Sequence, residues 1–496
     1  MSDRRIVVIG AGVGGLAAAV ALARHGMQVT VLEAHIYPGG CAGTYYHQGF
    51  RFDAGATLAA GFYPGGPMDL LALEAGIPSW PARPLDPVMV VHYPGGSETV
   101  IHNTHNGELH QPPFDSPADR RFWKWQATTA SALWDLALRL PDWPPSDLQQ
   151  AMGLIGSGFA WLSERLKNHS PLSIFALGLD AFRSSARRLD RASELLHLFV
   201  DGQLLISAQA TADRANALYA ASALDLPRRG VVELEGGIGA VAQILAKAVR
   251  QNGGEVRYRN RVSRILFSGM HPAGVETTRG EFFPADEVIV NLPPQNLAAL
   301  LPDNAPGTLR KRLSAPLPDD AWGAFMVYIG LANGNAAQGL PLHHQVLQRL
   351  PLGEGNSVFI SLSPEWDPSR APAGGRAITL STHTRLAPWR QLTALDRPAY
   401  EARKEAYTRR MLAALDVIHP ALRQDAKLIL PGTPLTFERF THRHMGWVGG
   451  FPQTSLLRFW PTKLAQGLWL VGDSVFPGQS MPAVALSGLR VARSLM

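Results

Sequence analysis

Ile6-Val7-Val8-Ile9-Gly10-Ala11-Gly12-Val13-Gly14-Gly15 is the stretch that decides the fold. Four β-branched residues in a row read as a strand buried on both faces, as in a parallel sheet. Leu16 to Arg24 is alanine-rich and reads as a helix closed by Gly26; Gln28 to Leu32 reads as a second strand ending at Glu33. In that order the glycines have tasks. Gly10 permits the tight turn, Gly12 lets a phosphate approach the backbone, and Gly15 lets helix and strand pack closely, with Gly14 in the same loop. The helix N-terminus then faces the phosphates. Glu33, 18 residues after Gly15, is placed to accept ribose hydroxyls. The pattern predicts an adenine dinucleotide site.

Two later segments belong to the same unit. Glu235-Gly236-Gly237-Ile238-Gly239 precedes an amphipathic helix carrying Val241, Ile244, Leu245, Ala248 and Val249, which ends at Asn252-Gly253-Gly254. Glu255 to Tyr258, Arg261 to Phe267 and Ala285 to Asn291 read as strands. At the other end of the chain, Leu468 to Asp473 is a strand running into an acidic turn, and a helix follows from about Ala483 to Leu495, with Pro482 suited to its first turn. Gly472 and Asp473 sit where a cofactor's ribityl or phosphate side would lie. The predicted fold is α/β: a Rossmann-type nucleotide domain assembled discontinuously from residues 1–70, 225–300 and 460–496. A substrate domain of α+β type spans 71–115 and 301–459, and a helical, membrane-facing insert spans 116–224.

Bulk properties agree with a multidomain globular chain. It has 496 residues, 46% hydrophobic and 17% charged, with a formal net charge of +6. No dense basic block or nucleic-acid motif is present, so nucleic acid is not an expected partner. Cys41 is the only cysteine, which excludes a disulfide framework and points to a reducing compartment; no metal site is expected. The uncharged run from Ile6 to Ala23 imitates a signal segment, but its glycine spacing is that of the nucleotide loop. No other uninterrupted apolar run reaches roughly 18 residues, so no spanning helix is predicted.

Pro38-Gly39-Gly40-Cys41-Ala42-Gly43-Thr44 and Gly49-Phe50-Arg51-Phe52-Asp53-Ala54-Gly55 resemble the second glycine motif of the amine oxidase and phytoene desaturase flavoproteins, which implies FAD. Many members carry Arg after the paired glycines, where this chain has Cys41, so the cation that meets the diphosphate is left open. Cys41 itself reads as a small packing residue. Further segments are Asp53-Ala54-Gly55-Ala56-Thr57, Ser363-Pro364-Glu365 with Ser381-Thr382-His383-Thr384, and Phe437-Glu438-Arg439-Phe440-Thr441. With Gly449-Gly450-Phe451-Pro452-Gln453 and Gly472-Asp473-Ser474-Val475-Phe476-Pro477-Gly478, the chain resembles the carotenoid desaturase and isomerase branch. It is most similar there to the bacterial C-3',4' desaturase type. The resemblance adds Ala34, Gly39, Gly40, Thr57, Val262, Met481 and Val484 to the expected cofactor contacts.

A lipophilic carotenoid substrate and a membrane surface are the partners this implies. The insert is rich in aromatics, namely Trp123, Trp125, Trp134, Trp143, Phe159, Trp161, Phe175 and Phe182. Arg165, Lys167, Arg183, Arg187, Arg188 and Arg191 edge it, a composition suited to anionic headgroups. The expected location is peripheral on the cytoplasmic side of a membrane, or soluble in the cytoplasm. Desaturation would pass hydride to flavin N5, with oxygen or a quinone as final acceptor. The proton acceptor is unassigned among Asp201, Gln203, His383 and Glu438. A cis-trans isomerase using reduced FAD is the alternative; a non-catalytic prenyl carrier and an amine oxidase are disfavoured.

Overall fold

The computed structural model describes residues 4–103, 114–168, 170–314 and 321–496. Two sheets organise it. The first has six strands in the order Lys463–Ala465, Leu468–Leu470, Glu287–Val290, Arg5–Ile9, Gln28–Leu32, Glu255–Arg257. All neighbours are parallel except the Lys463–Ala465 pairing. Widely separated parts of the chain therefore meet in one sheet, and the carboxyl ends of its parallel strands open on one crevice, where α/β sheets bind ligands.

The helix Val13–Arg24 has buried residues all round. It runs beneath the sheet and packs against Ala240–Gln251 and Met481–Leu495. Small residues make this possible. A Cβ on Gly488 would lie 2.1 Å from the Gly14 carbonyl oxygen, so the first and last helices touch backbone to backbone.

The second sheet has seven strands: Ala426–Gly432, Trp322–Leu331, Arg376–Arg385, Ser357–Leu362, His343–Leu347, Met89–His92 and Glu98–Ile101. The two-residue period of a strand sorts its side chains. In Trp322–Leu331, Phe325, Val327, Ile329 and Leu331 meet the helices Leu386–Leu395 and Arg397–Ile418 through Trp389, Tyr407 and Met411. Ala324, Met326 and Tyr328 face the other way and line a cavity.

The helical segment between the two sheets differs from its expected character. Helices Pro117–Leu138, Glu194–Ala208 and Ala217–Asp225 pack on one another and on the second sheet, so Trp123 and Trp134 are core residues. Trp125 donates to Asp180 Oδ2 at 2.8 Å, and Trp143 to the Leu456 carbonyl at 3.1 Å. Arg188 is spent on Asp180 at 2.6 Å, and Arg165 lies over Trp161. The aromatic residues thus do not form one lipid-facing surface. The exposed apolar face belongs to Leu148–Asn168 and Pro171–Asp180, where no second layer covers it: Leu148, Met152, Ile155 and Phe159 recur at helical spacing, with Phe175 nearby and Phe182 86% exposed. No described helix is long and apolar enough to cross a membrane.

Candidate functional site

One cavity of about 1,400 Å³ runs from the glycine turns of the first sheet to the inner face of the second. A single ligand pocket occupies roughly 300–1,000 Å³, so this volume has room for a cofactor and a second molecule.

The cofactor end is made of backbone. Gly10 (φ +95°) turns the chain out of the strand, and its amide is held by the Leu32 carbonyl. The first helical bond runs from Leu16 N to Gly12 O. The N–H groups of residues 13–15 therefore have no carbonyl within the helix, and Gly12 provides no side-chain cap. Gly39 (φ +115°) and Gly40 (φ +56°) form the second turn, tied to the first by Gly39 N bonding Ala11 O at 2.9 Å. A Cβ on Gly40 would meet no atom within 4 Å, so the open space beside it is available to a ligand. Gly472 (φ +110°) closes the third turn, its N–H donating to Ser487 Oγ at 2.9 Å.

Glu33 lines the cavity with both oxygens anchored. Oε2 accepts from Ala11 N and Oε1 from His35 N, each at 2.7 Å. Each oxygen retains a lone pair for a ribose hydroxyl. The helix Met481–Leu495 begins at the cavity wall, with Ser480 Oγ accepting from Ala483 N. Its Ser480, Met481, Pro482 and Val484 line the space and direct the positive helix end into it.

Gly10, Gly12, Gly14, Glu33, Ala34, Gly39, Gly40, Thr57, Val262, Gly472, Asp473, Met481 and Val484 all line this one cavity. Gly15 does not. A Cβ there would fall 2.6 Å from Gly10 O, so Gly15 sits behind the loop and serves the close packing of helix on strand expected of it. Asp53 is also set back: it accepts from Thr44 Oγ1 at 2.6 Å, Ile238 N at 3.1 Å and Arg370 Nη2 at 2.9 Å. It thereby ties the second glycine segment to the Glu235–Gly239 turn. Burial pushes the Cys41 thiol pKa up, as suits an unreactive packing residue.

Sequence reasoning missed Asn291 and Arg443. Asn291 ends a buried apolar strand, and its side chain fills the space that Cβ atoms on Gly12, Gly14 and Gly472 would take. The signal was a polar residue at the carboxyl end of an otherwise apolar run. Arg443 lines the cavity and pairs with Asp473 at 2.7 Å; it lies in a loop with no local pattern to mark it.

The other end of the cavity is made of side chains. Tyr45 and Tyr328 meet edge to face at 5.2 Å, and Tyr328 OH donates to Ala54 O at 2.6 Å. Burial raises both phenol pKa values, keeping them neutral. Met89, Ile206, Met326 and Phe359 extend the apolar wall. The four proton-acceptor candidates separate here. Asp201 is not a lining residue and accepts from Ala212 N at 2.7 Å. Glu438 lies outside as well, paired with Arg390 at 2.8 Å. Gln203 and His383 line the cavity. Gln203 donates to Gln345, and burial pushes the His383 pKa down to about 4, so its imidazole is neutral.

Residues 13–496 match the family described as flavin containing amine oxidoreductase. The chain belongs to that family. Within it, the chain resembles the carotenoid desaturase and isomerase branch. It is 29% identical to prolycopene isomerase 2, chloroplastic, of an Oncidium hybrid cultivar, over 98% of this chain and 82% of that protein. It is 25% identical to the neurosporene-forming phytoene desaturase of Cereibacter sphaeroides, over 97% of this chain and 92% of that protein. Among solved structures, an oxidoreductase from Methanosarcina mazei superposes with a TM-score of 0.66 at 18% identity, covering 99% of this chain and 100% of that one. Putrescine oxidase superposes with a TM-score of 0.62 at 16% identity, covering 100% and 99%. The protein is an FAD-dependent oxidoreductase of mixed α/β fold, and the glycine turns, Glu33 and the open cradle at Gly40 fit that cofactor.

Proposed function

We propose that this flavoprotein desaturates an acyclic carotenoid, with the C-3',4' bond as the position of reaction. The supporting observation is the continuity of the cavity: a backbone cradle suited to FAD opens directly onto a wall of Tyr45, Tyr328, Met326 and Phe359. An apolar chain held there would lie against the cofactor without meeting water. FAD, when bound by the glycine turns and Glu33, would supply a two-electron acceptor for hydride leaving a carbon next to the conjugated system.

The chain's own residues have the remaining tasks. The apolar wall orients the polyene, which is where most of the rate advantage would arise. A proton must leave the carbon beside the one that loses hydride. That carbon is made strongly acidic by the developing cation, so a weak base suffices. Of the four candidates, His383 both lines the cavity and has a neutral ring nitrogen free to take a proton. Gln203 is not basic and would position substrate. Oxygen or a quinone would then reoxidise the flavin.

The same reading places the protein peripherally on the cytoplasmic face of a membrane. Leu148, Met152, Ile155 and Phe159, exposed along one helix edge with Lys167 at its end, would enter the headgroup boundary and let substrate pass from the bilayer. The second reading is a cis-trans isomerase using reduced FAD, favoured by the 29% identity to a prolycopene isomerase against 25% to a desaturase. Anaerobic mixing of oxidised holoenzyme with a liposomal acyclic carotenoid, or its hydroxylated derivative, tests the choice. Flavin bleaching with a red-shifted polyene spectrum is expected. Isomerised product formed only after chemical reduction, with no gain in conjugation, would replace desaturation by isomerisation.

A further inference from the structure

The cofactor end of the cavity has a charge problem. FAD's diphosphate carries two negative charges, and Asp473 adds a third beside it. The N-terminus of helix Val13–Arg24 supplies only about half a unit of positive charge, and no side chain caps it. Full cations are few: Arg51, Arg261 and Arg443 are the arginines among the described lining residues, and no lysine joins them. Arg261 adjoins Val262, on the adenosine side with Glu33. Arg51 is exposed and lies toward the Gly236 turn.

Arg443 is different. Its guanidinium stands between two of the glycine turns, bonded to Asp473 Oδ2 at 2.7 Å on one side and facing Cys41 on the other. Its Nε donates to Trp447 O at 2.7 Å. The loop that carries it is clamped on both sides by one residue: Asn296 Nδ2 donates to His442 O at 2.7 Å, and His444 N donates to Asn296 Oδ1 at 2.9 Å. A guanidinium has five N–H donors. Trp447 and Asp473 take two of them, and the side chain keeps 14% of its surface open on the cavity.

We propose that Arg443 is the cation that binds the FAD diphosphate, reaching from the 441–447 loop over Cys41 to the second and third glycine turns. Position 41 can then be a small thiol because the charge arrives from elsewhere in the chain. Asp473 has two uses in this arrangement, holding the guanidinium through Oδ2 and keeping a lone pair on Oδ1, which also accepts from Ser474 Oγ at 3.4 Å, for the cofactor's hydroxyls. Burial works against the Arg443 charge, but the Asp473 carboxylate beside it outweighs this and its pKa moves up, so the group stays protonated when the site is empty of anions.

The test is binding, measured on apoprotein by quenching of FAD fluorescence and by competition with ADP and with adenosine. Arg443→Gln should weaken FAD binding by roughly 10- to 100-fold, the range for losing charge-assisted hydrogen bonds. ADP should lose affinity by a comparable factor, and adenosine, which has no phosphate, should compete as before. Arg443→Lys, which keeps the charge and loses the planar fork, guards against a folding defect and should fall between wild type and Gln. Unchanged ADP affinity in both variants would overturn the proposal. So would equal losses for ADP and adenosine, which would mean that Arg443 only shapes the pocket.

Discussion

The two ends of the cavity are built from different materials. Around Gly10, Gly12, Gly14, Gly39, Gly40 and Gly472 the wall is backbone, and its geometry depends on missing side chains. Around Tyr45, Tyr328, Phe359 and His383 the wall is side chains projecting from one face of a seven-stranded sheet. A backbone wall tolerates little substitution: a Cβ on Gly14, Gly15 or Gly39 would meet main chain, one on Gly12 or Gly472 would meet the Asn291 side chain, and one on Gly40 would enter the cofactor's space. A side-chain wall can exchange one apolar group for another of similar volume.

Four measurements would break or sharpen this contrast. The largest effect should come from Gly15→Val, which puts a branched side chain where even a Cβ would lie 2.6 Å from Gly10 O. A loss on the order of 4 kcal/mol in urea unfolding is expected, with no FAD retained. Stability near wild type would show that the backbone end is softer than argued.

Next is His383. Its folded pKa of about 4 lies below the value for an exposed imidazole, so the unfolded chain binds the proton first as pH falls. Stability from this group is full above about pH 6.5 and declines toward pH 4, by roughly 3 kcal/mol at most. His383→Leu should flatten that part of the stability-pH curve and leave FAD affinity intact. An unaltered acid slope would mean that the ring is solvated.

Glu33→Ala should weaken FAD binding by about 1–3 kcal/mol, the value of its charge-assisted bonds, part of which anchor the loop through Ala11 and His35. An isotherm unchanged from wild type would remove Glu33 from the site. The smallest effect should follow Met152→Ser, Ile155→Ser and Phe159→Ser together. About tenfold weaker binding to anionic liposomes is expected, with thermal stability unchanged because these side chains are exposed. Equal flotation of variant and parent would defeat membrane docking through this face.

Legibility followed the same division. The Ile6–Ile9 strand, the helix after it, the strand ending at Leu32 and the last helix all lie where their local patterns put them. The aromatic residues of the helical segment misled because composition alone cannot separate a core indole such as Trp123 from an exposed ring such as Phe159. The separation depends on which helices acquire a second layer: Pro117–Leu138 is covered by Ala217–Asp225, and Leu148–Asn168 leaves one face open.

By itself the sequence determined the nucleotide fold and its cofactor class, because a phosphate-binding turn demands glycines at fixed short spacings and a strand and helix on either side. Tertiary structure decided the rest. It brought Asn291 against Gly12 and Gly472, placed Arg443 beside Cys41 some 400 residues away in the chain, and took Asp201 and Glu438 out of the cavity while leaving His383 in it. Those relations depend on which distant segments share a wall, and residues far apart in a chain leave no mark of their proximity in local spacing.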